Sequence, residues 1–190
     1  TSCAGIAAAK GNNAEGIAGV CWDCLIMPIK IMTFDGYGED IQIADGLQWS
    51  ADNGANVISM SLGGGGYVSY FDNAIDYATS IGSVVFAASG NDNGGSISYP
   101  SGYENVIAVA PLGSNNQWNH LVTYHETIAL SSPGENIRST TCNGYASWDG
   151  SSMASPIAAS VFGLLKSLHP SWNNIMLETM VLGTADPIIY

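Results

Sequence analysis

Four short runs rich in Val, Ile and other apolar residues recur along the first part of the chain, and longer stretches with helical spacing separate them. The runs cover residues 25–32, 57–62, 83–88 and 106–110. Strands that are apolar on both faces are typical of parallel sheets, which helices cover on both sides. The alternation therefore predicts an α/β fold around a mostly parallel sheet.

The stretches between the runs have the spacing of crossover helices. Residues 40–53 place apolar side chains four positions apart from Ile43 onward, which corresponds to one face of a helix. A second helix is predicted to begin at Ser69 as its N-cap and to end at Gly82. Its apolar stripe consists of Ala74, Tyr77, Ala78 and Ile81.

The pattern changes after residue 110. Short alternating pieces at residues 121–124, 127–130 and 137–140 predict antiparallel strands and turns, and two helices are predicted over residues 152–168 and 173–182. No internal repeat, low-complexity tract or linker interrupts the sequence. Residues 1–190 are therefore predicted to belong to a single domain.

Basic residues are scarce. The chain has 4 Lys and Arg and 16 Asp and Glu, which gives a formal net charge of -12. Nucleic-acid binding depends on clustered Lys and Arg that neutralise phosphates. The composition therefore disfavours nucleic acid and acidic membrane surfaces as partners. No run approaches the roughly 18 consecutive apolar residues of a membrane helix, so no membrane span is predicted.

Two of the four cysteines form a C-x-x-C pair, Cys21 and Cys24, whereas Cys3 and Cys142 are isolated. A zinc site needs two further ligands at suitable spacing, which these cysteines do not supply. A local disulfide or unpaired thiols are favoured instead, and the sequence leaves that choice open.

Small residues surround a hydroxyl at the start of the long helix, in the segment from residue 149 to residue 160. A serine there, Ser152, has its hydroxyl and backbone N–H at the positive end of the helix, which suits a nucleophile whose attack generates an oxyanion. The alternative is that Ser151 or Ser152 is only an N-cap. The segment approximates the G-x-S-x-G elbow of α/β-hydrolases, but there the acid precedes the His, whereas His169 precedes Asp186 here.

Residues 150–156 read Gly-Ser-Ser-Met-Ala-Ser-Pro and resemble the G-T-S-M-A-S-P nucleophile motif of the subtilisin-like serine proteases, with Ser151 in place of Thr. Further similar segments follow the family's order at residues 56–64, 87–92, 99–109 and 132–139. The resemblance covers essentially the whole chain, most closely the thermitase-like branch. It implies a three-layer αβα fold that is incomplete at its N-terminus, and residues 1–190 would be the C-terminal part of a single catalytic domain.

The resemblance implies that Ser152 is the nucleophile of a serine endopeptidase that forms an acyl-enzyme. It further implies that the side chain of Asn91 joins the Ser152 backbone N–H in an oxyanion hole. A strand ending in Ser-Gly-Asn places that amide at the carboxyl edge of a parallel sheet, where such sheets bind ligands. Without the resemblance, Asn91 would be interpreted as a turn residue between two glycines.

The same resemblance implies a peptide-binding cleft with polypeptide as its substrate. An extended substrate would pair with one strand edge, formed by Ser61, Leu62, Gly63 and Gly64. The opposite side of the S1 pocket would be formed by Ala88, Ser89 and Gly90, with Ser98 at its floor, and Leu62 and Ile43 would line an apolar S4 subsite. The alternative is that Leu62 and Ile43 are core residues and the glycines form a flexible turn.

The first five residues, from Thr1 to Gly5, resemble the end of the family's H-G-T-x-x-A-G motif. The catalytic His would then stand two residues before Thr1, and the catalytic Asp further upstream. The 190 residues alone are expected to be nearly inactive, and a missing N-terminal segment, a prodomain or another chain would be a partner. The three histidines present, His120, His125 and His169, match no catalytic motif and are interpreted as surface or turn residues.

Two other classes of protein are alternatives to a protease. A noncatalytic relative would keep the cleft as a peptide-binding or scaffolding protein, and the residues upstream of Thr1 would discriminate it from an enzyme. A dinucleotide-binding domain is disfavoured, because no G-x-G-x-x-G follows a strand.

Residues 10–17 resemble the calcium loop of the thermitase-like branch. The implied ligands are the carbonyl oxygens of Lys10 and Ile17 and the side chains of Asn13 and Glu15, and oxygen donors of this kind suit Ca²⁺. The alternative is a polar connection after a helix. The family further implies secretion, with which the cysteines and the low Lys content are compatible.

Overall fold

The computed structural model describes residues 1–118 and 122–187. Its helices are α1 (Ser2–Ala8), α2 (Asp40–Asp52), α3 (Ser69–Ser80), α4 (Ser151–Leu168) and α5 (Asn174–Thr184). Its strands are β1 (Val57–Met60), β2 (Val84–Ala88), β3 (Val106–Leu112), β4 (Ile128–Pro133), β5 (Ile137–Thr141) and β6 (Gly144–Trp148).

The main sheet contains four parallel strands in the order β1-β2-β3-β4. Alternate residues of β2 point to opposite faces: Val85 packs in the core with α2 and α3, and Phe86 packs in the core with α4 and α5. The Phe86 ring meets Phe162 of α4 edge to face at 4.7 Å between centroids. Helices therefore cover both faces, and the predicted three-layer α/β fold is confirmed.

The predicted first strand is wrong, because residues 25–32 belong to no strand among the described residues. Ile29 and Ile31 instead approach α2 at Gly46, where an added Cβ would lie 2.5 Å from the Ile31 Cγ2 atom. Leu25 is 98% exposed. The apolar composition of this run thus reflects packing on a helix, and composition alone cannot provide the neighbouring strand that a ladder requires.

The stripe predicted for α3 is partly wrong. Phe71 and Ile75 are buried together with Ala74 and Ala78, whereas Tyr77 and Ile81 are exposed. The Tyr77 hydroxyl donates to the carboxylate of Asp52 at 2.6 Å, which keeps its polar end in water. The N-cap is Val68 rather than Ser69, and it makes no side-chain cap.

The region after β3 differs most from the prediction. β4 runs parallel to β3, not antiparallel, because the connection of 15 residues between them is long enough for a crossover. Residues 122–124 form no strand, and residue 121 lies outside the described residues. β5 pairs antiparallel with β6, as the alternation predicts for β5, but β6 itself was not predicted.

The C-x-x-C pair is a disulfide between Cys21 and Cys24, while Cys3 and Cys142 are free thiols. The bond packs against α4 at Gly163, where an added Cβ would lie 3.1 Å from the Cys24 sulfur. Titration of the unfolded, unreduced protein is therefore expected to find two thiols, and titration after reduction four. Four thiols before reduction would contradict the bond. Because the closed loop is short, we expect its reduction to cost about 2 kcal/mol of stability or less.

Candidate active site

The start of α4 lies against the loop that follows β2. Gly150 precedes the helix with a φ of 128°, a conformation that glycine adopts readily. A Cβ at Gly150 would lie 3.0 Å from the Oδ1 atom of Asn91. Glycine at this position thus permits the close approach of the asparagine side chain to the helix N-terminus.

Asn91 is held by two hydrogen bonds on one atom. Its Oδ1 accepts from the backbone N–H of Ser151 at 2.9 Å and from the Ser151 hydroxyl at 3.1 Å. The backbone N–H of Gly90 in turn donates to the Ser151 Oγ at 3.2 Å. Since Oδ1 is engaged, the Nδ2 group of Asn91 is left as the donor, and no described residue accepts from it.

The structure thus brings Asn91 to the residue directly before Ser152. The direct contact of Asn91 with Ser151 was not anticipated from the sequence. The only sequence signal for it is the hydroxyl that Ser151 shares with the Thr of the family motif.

Ser152 is the second residue of α4 and is half-buried. The carbonyl of Ser152 loses its helical donor, because Pro156 four residues later has no N–H. The Ser61 hydroxyl donates to this carbonyl at 2.8 Å, and the Cys3 thiol lies 3.7 Å from it. The end of β1 and helix α1 therefore both fix the backbone of Ser152, while no described residue hydrogen-bonds its own hydroxyl.

Two of the three histidines are described, and both lie in other contacts. The Nδ1 atom of His125 is paired with Thr127, and His169 stacks on Trp172 at 4.0 Å between ring centroids. His120 lies outside the described residues. Neither described histidine is hydrogen-bonded to Ser152.

The predicted S1 residues meet around Ser98. A Cβ added at Gly63 would lie 2.9 Å from the Ser98 hydroxyl, and one added at Gly90 would lie 3.6 Å from the Ser98 Cβ. The segments at residues 61–64 and 88–90 therefore flank Ser98 from either side. Ala88 and Ser89 at the end of β2 are buried, and Gly64 donates its N–H to the Tyr99 carbonyl at 3.1 Å.

The predicted S4 residues line one cavity of about 320 Å³ beside the glycine segment. Ile43 is 5% exposed and belongs to the core, and Leu62 packs against the same core. Ile43 and Leu62 therefore belong to the core and also line the cavity. The rest of the lining comes from Met32, Gly36, Tyr37, Gly38, Asp40, Gly63, Gly64, Gly65, Phe71, Tyr99 and Pro100.

The predicted calcium loop is exposed for most of its length. The Lys10 ammonium forms an ion pair with Asp23, and the Asn13 Oδ1 accepts from the backbone N–H of Glu15 at 3.1 Å. Within residues 1–118 and 122–187, no three His, Cys, Asp or Glu side chains cluster in a way that could hold a metal ion. In that part of the chain, no helix is long and apolar enough to cross a membrane.

The profile of the Subtilase family matches residues 1–188, and the chain belongs to that family. It is 42% identical over 189 residues to thermitase from Thermoactinomyces vulgaris, covering 99% of this chain and 67% of thermitase. It is 40% identical to a thermophilic serine proteinase from Bacillus sp. strain AK1, covering 99% of this chain and 47% of that protein.

A solved structure of a protease from Pseudoalteromonas arctica superposes with a TM-score of 0.93 at 32% identity. The match covers 98% of this chain and 63% of that structure. The chain thus spans about half to two thirds of the length of these relatives.

Proposed function

We propose that residues 1–190 carry the nucleophile, the oxyanion hole and the substrate cleft of a subtilisin-like serine endopeptidase. The observation that supports this best is the pair of hydrogen bonds from Ser151 to Asn91, 2.9 and 3.1 Å long, at the start of α4. They leave an amide donor beside Ser152 at the positive end of an 18-residue helix.

In the proposed reaction the Ser152 Oγ attacks the carbonyl carbon of a peptide bond, and the hydroxyl proton passes to a base. The carbonyl oxygen becomes an oxyanion that accepts hydrogen bonds from the Asn91 Nδ2 and the Ser152 N–H. The base then gives the proton to the leaving amine, an acyl-enzyme remains on Ser152, and water releases it by the same steps.

The base in this proposal is a histidine two residues before Thr1, oriented by an aspartate further upstream. Its support is that α1 begins at Ser2 and that the Cys3 thiol lies 3.7 Å from the Ser152 carbonyl. A residue just before α1 would therefore be near the nucleophile. The missing N-terminal segment is thus proposed as a partner of this chain, and a prodomain as a further one.

The test compares the protein as isolated from its source with the 190-residue chain, using a fluorophosphonate that labels activated serines. We expect labelling at Ser152 in the isolated protein and almost none in the short chain. A full-length protein that binds peptides in the cleft without labelling or cleavage would instead support the noncatalytic scaffolding alternative.

The full-length enzyme is predicted to prefer apolar residues on the acyl side of the cleaved bond. Ala88, Ser89, Gly90 and Ser98 carry no charge that would pair with Lys or Arg there. Ser98→Gly should deepen the pocket and raise kcat/KM for Phe relative to Ala about fivefold to tenfold. A peptide library measures both effects, and strong selection for Arg or Lys at this position would contradict the assignment.

We further propose that residues 10–17 contribute to a calcium site. Lys10 and Ile17 would offer carbonyl oxygens and Asn13 and Glu15 side-chain oxygens, and this chemistry suits a hard cation. Four donors fall short of the usual six to eight, so binding by this chain should be weak, with a Kd of about 1 mM.

At about 10 mM Ca²⁺, such a site would stabilise the chain by about 1.4 kcal/mol. Unfolding curves with Ca²⁺ and with Mg²⁺ measure this stabilisation, and we expect Glu15→Gln to remove the Ca²⁺ effect. Equal stabilisation of the wild-type chain and of Glu15→Gln by Ca²⁺ would contradict a role for Glu15.

We also propose that the protein acts outside the cell. The disulfide between Cys21 and Cys24 supports this location, since such bonds persist in oxidising compartments. Fractionation of the source culture, with detection of Ser152 labelling in the medium or in the cells, tests it.

A further inference from the structure

An exposed, unpaired carboxylate lines the cavity of about 320 Å³ described above. Of the described residues that line this cavity, Asp40 alone is charged. Asp40 is exposed and is the first residue of α2. No described residue gives its carboxylate a hydrogen bond or an ion pair.

No Lys or Arg is among the residues that line the cavity beside Asp40. Residues 31–137 supply every lining residue and hold most of the 16 carboxylates, but none of the 4 Lys and Arg. Lys30 is close to the cavity, since it donates to the carbonyl of the lining residue Met32, but it forms no ion pair with Asp40. An incoming cation would therefore be the partner that this carboxylate lacks.

The other residues that line the cavity are uncharged, and part of the lining is apolar. Ile43, Leu62 and Phe71 form its aliphatic and aromatic surface. Behind Tyr99, burial raises the pKa of Tyr103, whose hydroxyl donates to the Val68 carbonyl and accepts from the Val68 N–H. That phenol is therefore neutral and adds no charge to the site.

We propose that Asp40 makes this cavity selective for a Lys or Arg side chain of the substrate. Long basic side chains bury their aliphatic stems on apolar surface and keep the charged end in water, which matches a cavity of about 320 Å³ that is lined by Ile43, Leu62 and Phe71 and by one exposed carboxylate. The inference rests on the proposed protease function, and it concerns the residue four positions before the cleaved bond.

The test uses the full-length enzyme and two peptides that differ only at this position, one with Lys and one with norleucine. Wild-type enzyme should cleave the Lys peptide with the higher kcat/KM. Asp40→Asn should lower the Lys-to-norleucine ratio about fivefold, which corresponds to about 1 kcal/mol for an exposed ion pair. Raising the ionic strength to about 1 M should reduce the wild-type ratio in the same direction.

Two further variants control for folding and for general charge. Asp40→Glu keeps the carboxylate and should keep the Lys preference. Glu39→Gln removes the neighbouring exposed carboxylate, which does not line the cavity, and should leave the ratio unchanged. A Lys-to-norleucine ratio that is the same in wild type and Asp40→Asn would overturn the proposal.

Binding separates this proposal from the protease function. Fluorescence anisotropy with the same two peptides and the full-length Ser152→Ala variant requires no cleavage. A Lys preference in binding that Asp40→Asn removes would support the cavity proposal even if the protein cleaves nothing. Cleavage of both peptides with no role for Asp40 would overturn the cavity proposal and leave the protease function standing.

Discussion

Ser152→Ala in the full-length protein is expected to lower kcat for peptide cleavage about 10⁶-fold. Loss of the nucleophile in subtilisin, a member of the same family, costs about 2 × 10⁶, which is roughly 8 to 9 kcal/mol of barrier. The substitution removes only the hydroxyl, and the contacts that fix this residue involve its backbone carbonyl with Ser61 and Cys3. Folding should therefore be preserved, and KM should change little.

The matched control is Ser171→Ala, which removes an exposed hydroxyl in the turn between α4 and α5. We expect it to cleave peptides at the wild-type rate. Steady-state kinetics and thermal unfolding of the two variants check the result. Retention of more than about one hundredth of the wild-type kcat by Ser152→Ala would show that another residue is the nucleophile.

The parts of the fold that could be predicted are those in which the apolar or polar character of a segment determines its secondary structure. The runs at residues 83–88 and 106–110 contain the interior strands β2 and β3, which are apolar on both faces, and the run at residues 57–62 contains the edge strand β1. Residues 25–32 have the same composition, yet they pack on α2 without a ladder. Strand pairing depends on a partner elsewhere in the chain, so composition could not separate the two cases.

Strand β6, the second strand of the hairpin, is the opposite case, because it is a strand that has no apolar run. Its five residues are exposed or half-buried and form no apolar run. Its structure is set by antiparallel pairing with β5, from Ile137 opposite Trp148 to Thr141 opposite Gly144. A strand of this kind has no hydrophobic periodicity to detect, and only the register of its neighbour defines it.

The candidate site likewise has a part that the sequence predicts and a part that depends on contacts between distant segments. Motif resemblance alone identifies Asn91 and Ser152 as the predicted site residues, and Pro156 already implies a free carbonyl on Ser152 because proline has no N–H. The groups that meet this carbonyl, Ser61 and Cys3, are 91 and 149 residues away in sequence. Such contacts follow from the packing of α1 and β1 on α4, which local sequence does not encode.

Substitution of Asn91 should produce the second-largest loss of activity. Asn91→Asp keeps an oxygen that can accept from Ser151 but replaces the Nδ2 donor with a second oxygen. The oxyanion then loses one hydrogen bond and faces a negative charge, so kcat should fall at least 10²- to 10³-fold, about 2.7 to 4 kcal/mol, with little change in KM. Asn91→Leu, which removes both groups, should lose a similar amount.

Asn93→Asp is the matched control for this change. Asn93 lies two residues away, and its Oδ1 accepts from the Tyr124 hydroxyl at 2.6 Å, a bond that Asp preserves. The φ of 48° at this position is one that Asp tolerates. A fall in kcat for Asn93→Asp as large as for Asn91→Asp would assign the effect to loop charge rather than to the oxyanion hole.

Ser151 is predicted to affect catalysis through Asn91, because its hydroxyl donates one of the two hydrogen bonds that hold the Asn91 Oδ1. Ser151→Ala should lower kcat about tenfold, since an unheld amide spends less time aimed at the oxyanion, and Ser151→Thr should retain activity. If Ser151 acts through Asn91, adding Ser151→Ala to Asn91→Leu should cost nothing further, as expected for residues that act as a unit. Full additivity of the two losses in the double variant would show that Ser151 contributes to catalysis by a separate route.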